Sequence, residues 1–178
     1  MNSLTKTTKP PTLRQTTLDG TPYRELNRVN QPVVRVAKAH AEDYVLLVSG
    51  SRSIADDEWV ARQLDRYVRR QRRGRMPIQL LHGESPGVDA AAVRWALDRN
   101  VAIGTLSVHP LYIQKWPRAE HGPYLAYDRR DCDLVDLADS VVALWDGKSG
   151  GTRRTKEYAT QQGKLALEVL YGADEDSA

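Results

Sequence analysis

The chain from Ser140 to Gly163 reads Ser-Val-Val-Ala-Leu-Trp-Asp-Gly-Lys-Ser-Gly-Gly-Thr-Arg-Arg-Thr-Lys-Glu-Tyr-Ala-Thr-Gln-Gln-Gly. Ser140–Leu144 is an apolar run of strand length. Trp145 to Gly151 is a glycine-rich turn, and Thr152 to Gln162 follows a helical pattern that Gly163 stops. Strand, glycine turn and helix in that order form one unit of an α/β fold. They also bring unpaired backbone N–H groups and the positive end of a helix dipole to one point, where an anion is favoured. The turn therefore predicts a phosphate, most simply that of a nucleotide. Lys148 does not make it a Walker-type loop, because no Gly-Lys-Ser/Thr follows a four-residue gap after a glycine.

The same grammar repeats upstream. Tyr44–Val48 is a short continuous apolar run, as in a strand buried on both faces, and Ser49-Gly50-Ser51-Arg52 ends it. Asp56 or Asp57 can cap a helix whose apolar positions Val60, Leu64, Tyr67 and Val68 recur at helical spacing, closed by Gly74 and Pro77. A second strand at Ile78–His82, a turn at Gly83–Gly87 and an alanine-rich helix from Val88 to Arg99 follow. Val101–Val108 is the third strand and residues 109–122 a loop. A helix spans about Tyr124–Leu137, and Leu165–Leu170 is the fifth strand. The alternation predicts a doubly wound α/β domain: a mostly parallel five-stranded sheet with helices on both faces. Its ligand belongs at the C-terminal edge of the strands, where the strand order reverses.

Composition sets the surroundings. The 178 residues carry a net charge of +3 and one cysteine, Cys132, which excludes an intrachain disulfide and fits a cytoplasmic setting. No apolar run is long enough to span a membrane, and Met1–Lys6 lacks the apolar core of a secretory signal. Residues 1–40 hold seven Lys/Arg against two acids, or +5, which leaves −2 for the remainder. This part reads as a basic, disordered arm with a short helix near Arg24–Arg28. Residues 41–172 then form the domain and 173–178 an acidic tail. Arg66, Arg69, Arg70, Arg72, Arg73 and Arg75 crowd one helix end. They read either as a solvated, dipole-complementing terminus or as a nucleic-acid contact. His40, His82, His109, His121 and Cys132 lack ligand spacing, so neither a metal nor a resident cofactor is expected.

Three strand exits supply candidate ligand-binding residues. The first offers Gly50, Ser51 and Arg52: close backbone approach, a hydroxyl and a bidentate guanidinium. In the second, Gly83, Glu84 and Gly87 form a loop over the site. Asp89, in the first helical turn, either compensates the dipole or accepts a ribose hydroxyl. His82 reads as a strand-end residue before it reads as a base, for no neighbouring carboxylate orients it. The third exit gives Gly147, Ser149, Gly150, Gly151 and Thr152. Trp59 and Trp95 sit at helical positions and read as core or subunit contacts, while Trp116 in the long loop is placed to stack on a base.

Taken together, these turns resemble the SLOG superfamily in its YspA-like branch, related to LOG- and DprA-type proteins. The likeness runs from about Val45 to Leu170. It is carried by Gly50-Ser51-Arg52, Gly83, Gly87-Val88-Asp89, Trp95-Ala96, Trp116, Gly122-Pro123, Arg130-Asp131, Ala138-Asp139, Trp145, Gly147, Ser149, Gly151-Thr152, Ala159 and Gly163. The resemblance implies a Rossmann-like fold, a nucleotide-derived small molecule as ligand, an arginine at Arg130 facing it, and a homodimer. Related phosphoribohydrolases share Pro-Gly-Gly-x-Gly-Thr-x-x-Glu. Here Thr155 stands at the glutamate position, and Glu157 is rotated well around the helix. No catalytic residue is therefore assigned. A sensor or carrier without turnover is the leading reading. The alternatives are an N-glycoside (phosphoribo)hydrolase using Glu84 or Asp89, and a DprA-like protein touching nucleic acid or another protein through the basic arm.

Overall fold

A computed structural model describes residues 38–106 and 125–173, together with the backbone of 15–16 and 33–34. From residue 38 on, five strands and four helices alternate among the described residues: β1 (Val45–Gly50), α1 (Asp57–Gln71), β2 (Gln79–His82), α2 (Val88–Asp98), β3 (Ala102–Thr105), α3 (Leu125–Leu137), β4 (Ser140–Trp145), α4 (Gly150–Gln161) and β5 (Leu165–Leu170). The strands form one sheet in the order β3-β2-β1-β4-β5, and every pairing is parallel. The chain winds outward from β1 in one direction, then crosses to β4 and winds in the other. Between β1 and β4 the two helical layers diverge, which opens a crevice at the strands' C-terminal ends.

Alternation along each strand divides the core. Leu46, Val48, Leu80, Val142 and Leu144 face α1 and α2, packing on Trp59, Val60, Leu64, Tyr67, Val88 and Trp95. Val45, Leu47, Leu81 and Val141 face the other way, onto Leu134, Val135 and Ala159 of α3 and α4. Of the two readings open for Trp59 and Trp95, core or subunit contact, both residues take the core one. Trp59 meets the ring of Tyr171 edge-on, and Trp95 donates its indole N–H to Asp65 at 2.9 Å.

Helix ends follow local chemistry. Asp56 caps α1, its carboxylate accepting from Trp59 N–H at 2.8 Å, while Asp57 pairs with Arg94 of α2. α4 begins two residues before the expected Thr152, because Ser149 serves as its N-cap. β3 ends at Thr105, short of Val108, and the loop expected over residues 109–122, Trp116 included, lies outside the described residues. Within the expected arm, Gln15–Thr16 pairs antiparallel with Val33–Val34. The helix expected near Arg24–Arg28 lies outside the described residues.

Candidate functional site

The crevice between β1 and β4 holds a cavity of about 320 Å³. Its floor is the C-terminal half of β1, Leu47 to Gly50. One wall is the exit of β2 and the start of α2, through Gly83, Ser85 and Asp89. The opposite wall is the start of α4, through Ser149, Gly151 and Thr152. α3 lies across with Tyr127, Arg130, Asp131 and Leu134, positions i, i+3, i+4 and i+7 of one helical face. Of the residues singled out in the sequence, Gly50, Arg52, Gly83, Asp89, Arg130, Ser149, Gly151 and Thr152 line the cavity. Ser51, Glu84, Gly87, Gly147 and Gly150 do not.

Those five shape the walls. Ser51 is fully buried, and its hydroxyl accepts from Asp146 N–H at 3.0 Å, joining the exits of β1 and β4. Gly87 sits at φ +78, where a Cβ would lie 2.6 Å from the carbonyl oxygens of Ser51 and Arg52. Only glycine lets α2 start this close to β1. Glu84 (φ 55) is exposed, and its amide donates to His82 Nδ1 at 3.2 Å. His82 is thus a turn acceptor, and burial lowers its pKa, which keeps the ring neutral. Gly147, at φ +79, reverses the chain after β4.

The α4 start is partly satisfied from within. Asp146 accepts from the amides of Lys148 and Ser149 at 2.9 and 2.8 Å, and from the Ser53 hydroxyl at 2.6 Å. The Ser53 bond and then these amides hold its carboxyl far below the usual carboxylate range. Ser149 Oγ accepts the Thr152 amide at 3.4 Å and the Thr152 hydroxyl at 3.1 Å. Thr152, expected to donate to a ligand, is therefore turned to the cap. The amides of Gly150 and Gly151 donate to no partner among the described residues. A Cβ on Gly151 would meet nothing within 4 Å, so packing does not demand glycine there.

Two of the three guanidiniums on the cavity are paired with carboxylates. Arg130 is 5% exposed; its Nε donates to Asp131 at 2.7 Å and its Nη1 to the Leu106 carbonyl at 3.0 Å. Its Nη2 lies beside Gly83, where a Cβ would come within 3.2 Å. Arg52 is exposed at the rim and has no partner among the described residues. A third guanidinium, Arg154, was not singled out in the sequence. It lines the cavity and holds Asp128 with Nε and Nη2 at 2.9 and 2.8 Å. The signal was present, since Arg154 follows Gly151 by three residues and so shares its helical face. Asp89, 4% exposed, accepts from Gly83 N–H at 3.0 Å and Ser85 N–H at 3.2 Å. Burial outweighs those two bonds and pushes its carboxyl up to about 6. Asp131 is raised too, again by burial, against the lowering effect of Arg130. Among the described residues no three His, Cys, Asp or Glu side chains converge as metal ligands.

Residues 44–109 match the YspA, cpYpsA-related SLOG family. Over that stretch the chain is similar to YspA-related SLOG domains. The matched stretch carries β1 through β3 and hence the floor and first wall of the cavity. α3 and α4, which bring Arg130 and Gly151, lie beyond it. A search of curated proteins finds no match. That likeness points to nucleotide-related ligands in general. Among the described residues no helix is long and apolar enough to cross a membrane.

Proposed function

We propose that this SLOG-like domain binds a phosphorylated nucleotide derivative between β1 and β4, as a sensor or carrier without turnover. One observation carries the reading. The cavity is lined by a glycine, Gly151, that packing does not demand, on the opening turn of a helix whose first two amides lack partners among the described residues. Backbone bared in this way suits a phosphate oxygen, held by N–H groups and the helix dipole. Arg52 stands at the rim to neutralise it, and Arg130 and Arg154 lie on the same cavity. Tyr127, on the helical face of Arg130, offers a partly exposed ring for a base.

Absence of turnover is supported by the residue at the hydrolase glutamate position. Thr155 is 5% exposed and donates its hydroxyl to the Gly151 carbonyl at 3.0 Å. Glu157 is exposed on another face, 3.9 Å from Arg153. Calorimetry with nucleoside 5′-monophosphates and their parent nucleosides tests the proposal. The monophosphates should bind and the nucleosides should not. Thr152→Glu, which sets a carboxylate beside the cradle, should weaken binding at least tenfold. Equal affinity for nucleoside and nucleotide would sink it.

One observation favours a second reading. Asp89 is buried in the cavity with its carboxyl raised to about 6, the range in which an acid can protonate a departing base. Release of free base from nucleoside monophosphates, abolished in Asp89→Asn, would replace the carrier by an N-glycoside hydrolase.

A further inference from the structure

We propose that the C-terminal end of α1 is a second binding surface, for the phosphodiester backbone of a nucleic acid. α1 runs back from the cavity to the N-terminal edge of the sheet, so its end lies at the far side of the domain. Two of the arginines there are structural. Arg72 stacks over the Tyr44 ring at 4.2 Å, donates to Tyr67 Oη at 2.8 Å and bonds the Ser140 hydroxyl. Arg75 pairs with Glu42 at 3.2 Å, and its carbonyl accepts from Tyr44 Oη at 2.9 Å. Arg69, Arg70 and Arg73 differ. All three are exposed, and none has a hydrogen bond or ion pair among the described residues.

The neighbouring acids are already engaged. Glu42 holds Arg75, Asp43 accepts the Ala39 and His40 amides, and Asp139 binds Lys38 and the Val45 amide. The three guanidiniums therefore form an excess of positive charge that the domain does not itself balance.

Arg73 adds a conformational argument. It follows the α1 cap at φ 50, the left-handed position that glycine or asparagine normally fills. Dipole compensation does not explain it, because Arg69 and Arg70 already supply cations to the last turn. The chain also enters the domain at this edge, through Lys38. The residues before it hold Lys6, Lys9, Arg14, Arg24, Arg28 and Arg35 against Asp19 and Glu25. Unpaired arginines at this edge, in a chain whose first 37 residues carry six further Lys/Arg against two acids, suit a polyanion tracked along its backbone, with no reading of bases.

The test is fluorescence anisotropy of the full chain with labelled duplex DNA and duplex RNA of one mixed sequence, over a series of salt concentrations. The intact protein should bind with steep salt dependence, and the ratio of the two affinities names the nucleic acid. In the triple variant Arg69→Gln, Arg70→Gln, Arg73→Gln, affinity should fall at least tenfold. The slope of log K against log salt should drop by about 2–3, near 0.9 per lost phosphate contact. Arg73→Gly relieves the left-handed backbone, so its Tm should hold or rise while the slope falls by about 1. That pairing separates a contact from a structural role. Thr152→Glu, across the molecule, should leave nucleic-acid binding unchanged. The proposal is overturned if neither duplex binds, if only anionic phospholipid vesicles do, if the triple variant keeps the full slope, or if Thr152→Glu removes the binding.

Discussion

Asp89 and Arg130 bear two kinds of demand at once, from the fold and from the cavity. The folded-state pKa of Asp89, about 6, lies above its ordinary value of 3.8. The folded protein therefore holds this proton more tightly than the unfolded chain. The stability that protonation brings is fully present below about pH 4 and is lost as pH rises through 6. Asp131, raised in the same direction, adds to the trend. Asp89→Asn keeps an oxygen for the Gly83 and Ser85 amides but removes the titration. Denaturant midpoints should show wild type losing about 1 kcal/mol more than the variant between pH 5 and pH 7; identical losses would place Asp89 in a wetter setting. Arg130→Ala strands Asp131 and the Leu106 carbonyl and should cost about 3 kcal/mol of stability. Replacing both charges, Arg130→Met with Asp131→Leu, should recover most of that stability and none of the nucleotide affinity. Recovery of both would make the pair purely structural.

Among the elements, the start of α2 and the start of α4 are both glycine turns, yet the two glycines answer to different causes. Gly87 is required by the fold: positive φ and two carbonyl oxygens at 2.6 Å leave no room for Cβ. Gly87→Ala should destabilise the domain by about 2–3 kcal/mol, measured by denaturant unfolding. Gly151 has neither constraint. The sequence places both glycines at helix starts but cannot separate these causes, because the separation depends on what passes nearby in space. The same limit applies to Ser51 and Thr152. Each is a hydroxyl at a strand exit, and the structure commits one to Asp146 and the other to Ser149. Helical periodicity did carry more than its apolar positions. Once Arg130 is chosen, its face contains Tyr127, Asp131 and Leu134, and Gly151 brings Arg154 by the same rule.

For the molecule as a whole, the regular alternation of apolar runs with helical segments made the doubly wound architecture readable, since the central strands β1 and β4 are near-continuous apolar runs that lead into glycine turns. Strand order was not readable. Nothing local to Ser140–Trp145 says that it pairs with β1 rather than β3, yet that pairing creates the crevice. The order also gives the two ends of the domain different chemistry. Crossovers gather helix starts and bared amides at one edge, and the arginine-rich end of α1 at the other.

The most direct test of the phosphate cradle is Gly151→Ala, followed by calorimetry with nucleoside monophosphates and by thermal unfolding. The account predicts a Tm unchanged or slightly raised, since alanine favours the helix by roughly 0.5–1 kcal/mol and its methyl meets nothing. Nucleotide affinity should fall at least tenfold, because that methyl occupies the space of a phosphate oxygen. Full affinity in a variant that folds normally would contradict the account and move the ligand away from α4.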